Sequence, residues 1–140
     1  MSKVAPEAVW QDDECFDIGS TRFRASGVDT DYMSEDSSAD DFVLAKPRLM
    51  VDRLLELRDE EEQWRRIVDI GIFKGGSTAF LALAFQPERL SAFDLNAKPV
   101  PALEAFIDEH GLRDVVRPWY GLDQGDAAAL EAAVRADHIG

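Results

Sequence analysis

From residue 66 onward the chain alternates short apolar runs with longer stretches whose apolar residues recur at helical spacing. RIVDIGI (66–72), RLSAFDL (89–95) and VVRPWYGL (115–122) read as strands. GGSTAFLALAF (75–85), PVPALEAFIDEHG (99–111, closed by Gly111) and DAAALEAAVRADH (126–138) read as helices. The order βαβαβα predicts an α/β fold with a parallel sheet, because each crossover helix returns the chain to the same end of the sheet. Pro118 removes a ladder donor from the third strand and is tolerated best at a sheet edge. A doubly wound sheet of order 3-2-1 puts the third strand there.

Upstream the pattern is less regular. KPRLMVDRLLELRDEEEQ carries Met50, Val51, Leu54, Leu55 and Leu57 at helical spacing behind Pro47, which predicts an amphipathic helix whose EEE run at 60–62 is a solvated face. ECFDIGSTRFRAS alternates on both sides of Gly19-Ser20 and suggests a two-stranded hairpin. Between them GVDTDYMSEDSSADD (27–41) is acidic, serine-rich and poor in aliphatic residues, the composition of a mobile loop.

Composition narrows the partners. The 140 residues carry a formal net charge of −13, unevenly spread: residues 1–45 hold 11 acidic and 3 basic side chains, residues 46–140 hold 17 and 12. Such a surface repels nucleic acid, whose binding needs Lys and Arg to neutralise phosphate. No apolar run approaches a membrane span and the N-terminus has no apolar signal core, so the expectation is a cytoplasmic protein with no membrane partner. The single cysteine, Cys15, reads as an ordinary thiol, and no zinc-ligand spacing surrounds it. His110 and His138 read as surface or capping residues; Trp64, Trp119 and Tyr120 read as packing residues.

The chemistry concentrates in VDIGIFKGGSTAF (68–80). Ligands of a parallel α/β sheet bind beyond the carboxyl ends of the strands, and the first strand-to-helix turn is the main cradle. Gly71, Gly75 and Gly76 free that turn of side chains, and Ser77 and Thr78 open a helix with unpaired amide hydrogens. A phosphate loop G-x-x-x-x-G-K-[ST] fails because Ser77 stands where the lysine belongs. A dinucleotide fingerprint G-x-G-x-x-G fails because Phe73 stands where the second glycine lets pyrophosphate approach. What remains is acid-x-Gly-x-x-x-Gly beginning at Asp69, followed by Asp94 at the tip of the next strand. A carboxylate there can accept both ribose hydroxyls of an adenosine with no phosphate nearby. That suits a nucleoside carrying an amino acid.

VDIGIFKGGSTAFLA, SAFDLN and VVRPWYGLDQGD resemble the first three motifs of class I S-adenosylmethionine-dependent methyltransferases. The likeness is to the small-molecule O-methyltransferase group that includes macrocin-type and rhamnosyl enzymes and cephalosporin hydroxylase-like proteins. The lead-in DDFVLAKPRLMVDRLLEL is similar too, so the resemblance covers about residues 41–140. It implies an S-adenosylmethionine-dependent O-methyltransferase of a small hydroxylated metabolite, with a Rossmann-like domain at 46–140 behind an acidic extension at 1–45. In it, Asp69 and the backbone of Gly71, Gly75 and Gly76 would line the methionine part of the cofactor, with Ser77 near its carboxylate. Asp94 would bind the ribose, and Asp123 or Gln124 would lie near the adenine. Phe73 departs from the broad family pattern, which often has glycine there.

A doubly wound sheet continues by crossing back to a fourth strand beside the first, and no such strand follows ADHIG. The expectation is therefore the N-terminal half of the enzyme, weakly active or inactive by itself. The acceptor pocket, the base and any divalent-metal ligands would lie outside this chain. Strand 66–72 would be an exposed edge, open to a homo-oligomer or a complementing chain. The reading from a different class is a non-catalytic binding or regulatory half-domain that pairs with another chain.

Overall fold

The structure, a computed structural model, describes residues 6–25, 37–61 and 63–139. The elements run β1 (Val9–Trp10), β2 (Cys15–Ile18), β3 (Thr21–Ala25), β4 (Asp41–Leu44), α1 (Arg48–Asp59), β5 (Arg66–Ile70), α2 (Gly76–Phe85), β6 (Arg89–Asp94), α3 (Pro101–Glu109), β7 (Val116–Tyr120) and α4 (Ala127–Ile139). Two sheets form. One is parallel with order β5-β6-β7; the other is mixed with order β1-β2-β3-β4, in which β4 joins β3 in parallel.

The predicted hairpin is β2–β3, turning at Gly19, whose φ of +60° suits glycine. Two strands escaped the sequence pattern. β1 has two residues, and β4 lies at the end of the acidic run expected as a mobile loop; residues 27–36 of that run lie outside the described residues. Its last residues instead form a turn, in which the Ser38 and Asp41 backbones bond each other at 2.8 and 3.2 Å. Val43 N–H donates to Ser37 Oγ at 2.9 Å.

Phenylalanines join the mixed sheet to the helices. Phe16, Phe23 and Phe42 line one face of that sheet, with ring centroids 5.2 and 5.9 Å apart along the row. Phe80 of α2 meets Phe16 edge-on at 5.8 Å, and Phe106 of α3 meets Phe42 edge-on at 5.5 Å. The same buried cluster includes Leu90, Ala92 and Val116 of the parallel sheet, so α2 lies between two sheets. This explains its sequence. GSTAFLALAF is apolar around the whole helix because neither side faces water.

Helix α4 packs on the far face of β6. Asp137, fully buried, accepts hydrogen bonds from Ser91 Oγ at 2.6 Å and Trp119 Nε1 at 2.7 Å, which ties the helix to β6 and β7. The edge position expected for Pro118 is observed. Leu90 N–H donates to Val115 O, so the amides of 117 and 119 face β6 and that of 118 would face outward, where a missing donor costs no ladder bond. Among the described residues no helix is long and apolar enough to cross a membrane.

Candidate functional site

The carboxyl ends of β5, β6 and β7 lie side by side, and backbone bonds lace their loops together. Gly71 N–H extends the β5–β6 ladder to Phe93 O at 2.7 Å, and Gly75 N–H closes a tight turn onto Ile72 O at 2.8 Å. Leu122 N–H donates to Asp94 O and Gly121 N–H to Asn96 O, both at 3.0 Å, so the loop after β7 folds over the end of β6.

Asp94 is the hinge of this arrangement. Its Oδ2 accepts the Phe73 amide at 2.8 Å and its Oδ1 accepts the Asn96 amide at 2.9 Å. Each carboxylate oxygen has a second lone pair, so acceptor capacity remains on both. Phe73 has a φ of +51°, uncommon for an aromatic residue, and the residue is 49% exposed. The bond to Asp94 holds this strained residue in place.

The three glycines divide into two kinds. Gly71 has a φ of +93° and open space where a side chain would start, so its backbone is approachable. Gly75 has a φ of +89°, but an added Cβ would press on Leu103 and Phe42 at 3.1 and 3.3 Å. At Gly76 an added Cβ would fall 2.0 Å from the carbonyl oxygen of Val43. Gly75 and Gly76 are thus explained by α2 packing against β4 and α3, whereas Gly71 faces outward.

Asp69 accepts Ser77 Oγ at 3.0 Å and Thr78 Oγ1 at 2.9 Å, both on Oδ2. The Ser77 hydroxyl therefore turns inward to Asp69. Burial raises the Asp69 carboxyl above its ordinary value, opposed by the two hydroxyl bonds and by the charge of Lys46. Lys46 is the neighbour the sequence reading missed, and Thr78, read there only as opening the helix, is a second hydroxyl partner of Asp69. Lys46 reaches this place only because β4 runs beside α2, and β4 itself had no readable signal.

For Asp69 the linkage has a definite sign. An acid whose folded value is raised destabilises the fold when ionised, and the penalty fades as pH falls through that raised value toward the ordinary carboxylate range. Asp69→Asn keeps an acceptor for both hydroxyls and removes the charge. It should melt above the parent protein at pH 7, with the gain shrinking as pH falls. Melting curves across pH check this, and an equal or lower melting point at pH 7 would contradict it.

Asp123 is exposed and shapes its own loop, its Oδ1 accepting the Gly125 amide at 2.8 Å. It follows Leu122 directly, one residue from the backbone bonded to Asp94. Other candidates lie elsewhere. The His110 ring packs on Phe106 with centroids 4.4 Å apart, and the side chain of His138 lies outside the described residues. Trp64 packs edge-on against Phe85, while Tyr120 donates to Glu104 Oε2 at 3.0 Å. Cys15 is a half-buried free thiol, pushed up by burial. Among the described residues no three His, Cys, Asp or Glu side chains are grouped to hold a metal.

Compared with known proteins, the chain matches no family model, no curated protein and no solved structure.

Proposed function

We propose that this chain binds S-adenosylmethionine and forms the cofactor cradle of an O-methyltransferase acting on a small hydroxylated metabolite. On this reading the parallel β5-β6-β7 sheet with α2, α3 and α4 belongs to a Rossmann-like doubly wound domain. The observation that carries the reading is the Asp94 carboxylate at the tip of β6, bonded to the glycine turn after β5 yet retaining acceptor capacity on both oxygens.

The residues fit the cofactor at two of its three parts. Asp94 accepts the ribose hydroxyls on its remaining lone pairs, and Gly71 leaves its backbone open to the ligand. Asp69 stays assigned to the methionine end, its Oδ2 taken by Ser77 and Thr78. Ser77 differs from the first expectation, since its hydroxyl donates to Asp69. Gly75, Gly76 and Ser77 then act mainly by shaping the turn. Asp123 is the acidic group nearest in sequence to the loop over β6 and is assigned to the adenine.

The bound cofactor supplies an activated methyl group on its sulfonium. This chain's residues bind and orient it for in-line attack by an acceptor oxygen, a contribution of positioning. No base is assigned among them.

One observation favours the second reading, a non-catalytic half-domain that pairs with another chain: among the described residues no strand covers the outer edge of β5. Ligand selectivity separates the two. Thermal stabilisation by S-adenosylmethionine and S-adenosylhomocysteine, with none by NAD, supports the cofactor reading. A folded protein indifferent to all three would refute it.

A further inference from the structure

Phe73 is the one phenylalanine that packing does not explain. Of the eight in the chain the other seven are buried, whereas Phe73 is 49% exposed and sits at a φ of +51°, where glycine is the favoured residue. Its backbone is pinned. The Phe73 amide donates to Asp94 Oδ2 at 2.8 Å, and two residues earlier Gly71 N–H donates to Phe93 O at 2.7 Å, so both ends of the segment 71–73 are fixed to the end of β6. Within that segment Gly71 has no side chain and Ile72 is 1% exposed, which leaves Phe73 as its one accessible side chain. The aromatic residues at the end of β7 are already engaged, Trp119 with Asp137 and Tyr120 with Glu104. A cation meets the Phe73 ring instead: Lys74 Nζ lies over it, 5.8 Å from the centroid.

We infer that the Phe73 ring faces the sulfonium of the cofactor, so that this site favours the charged S-adenosylmethionine over its neutral product, S-adenosylhomocysteine. The inference rests on the cofactor reading above. In that ligand the sulfur joins the ribose to the methionine side chain, so it falls between Asp94, assigned to the ribose, and Asp69 with Gly71, assigned to the methionine. Segment 71–73 spans that interval, and Phe73 is the side chain it presents there.

The selectivity follows from the ring's electrostatics. The face of a phenyl ring is the negative part of its quadrupole and attracts a cation within about 6 Å of the centroid. The contact with Lys74 shows a cation reaching this ring in the folded chain. In the product the electron pair of the broken bond to the methyl group stays on sulfur, which becomes a neutral thioether. A thioether keeps only the softer sulfur–aromatic contact, made mostly at a ring edge. The ring therefore distinguishes the ligand before methyl transfer from the ligand after it.

Isothermal titration of the parent chain, Phe73→Leu, Phe73→Gly and Phe73→Trp with S-adenosylmethionine and with S-adenosylhomocysteine tests this through the ratio of the two dissociation constants. Leucine removes the ring but keeps an apolar side chain, so lost contact area weakens both ligands alike and cancels in the ratio. Glycine removes the ring and relieves the left-handed strain, which guards against a misfolded variant. In both, the preference for S-adenosylmethionine relative to S-adenosylhomocysteine should fall about fivefold, the size of a partly exposed cation–π contact. Tryptophan, whose ring attracts cations more strongly, should keep or raise it. Far-ultraviolet dichroism shows which variants are folded. If the parent chain binds both ligands and the ratio is unchanged in folded Phe73→Leu or Phe73→Gly, or falls equally in Phe73→Trp, the inference is overturned and the cofactor reading stands. A folded parent chain that binds neither ligand overturns both.

Discussion

Gly76→Ala should cost about 3 kcal/mol or more of folding stability, read as a lower urea midpoint with little change in slope. The φ of Gly76 is not positive, so backbone strain is not the cause. The added methyl would fall 2.0 Å from Val43 O, inside any allowed contact, and the obstacle is backbone that cannot rotate away. Either β4 must leave β3 or α2 must lift off the phenylalanine cluster. Gly111→Ala is the control. That glycine has a φ of +64° with open space around it, so alanine there should cost only the left-handed strain, about 1 kcal/mol. Equal losses at the two positions would mean that β4 does not run so close to α2.

Asp94→Ala should weaken S-adenosylmethionine binding on the order of 100-fold, since hydrogen bonds to a charged group are worth about 1.5–3 kcal/mol each. It should also destabilise the ligand-free protein, because the Phe73 and Asn96 amides lose their acceptor. Asp94→Asn separates the two effects. The amide retains one acceptor oxygen but turns a donor toward backbone donors or toward the ribose, so binding should fall to an intermediate level. If binding follows stability across the variants and not the acceptor count, Asp94 shapes the turn only.

The parallel sheet was legible because short apolar runs alternate with stretches of helical apolar period, and Pro118 marked its edge. The turn after β5 was legible for a similar reason, since an acid and a spaced set of glycines stand on a strand-to-helix junction. β4 was not legible. Four residues, DFVL, carry too short a pattern, and their pairing with β3 is made across a long connection that no local window records. That omission affected the site. Without β4 beside α2, Gly76 reads as a place for ligand approach; with it, Gly76 is where two backbones nearly touch. Ser77 shows the same limit, because its hydroxyl direction depends on Asp69 eight positions earlier. Asp94 was legible as a carboxylate at a strand tip, but its bond to the Phe73 amide appears only once the turn is folded.

On the proposed function the tip of β6 binds the ribose of S-adenosylmethionine. Isothermal titration of the parent chain and of Asp94→Ala, each first shown to be folded by circular dichroism, tests it most directly. A saturable heat with the parent chain, lost or reduced about 100-fold in the variant, is the predicted result. No heat with the folded parent chain, or equal affinity in the two proteins, would contradict it.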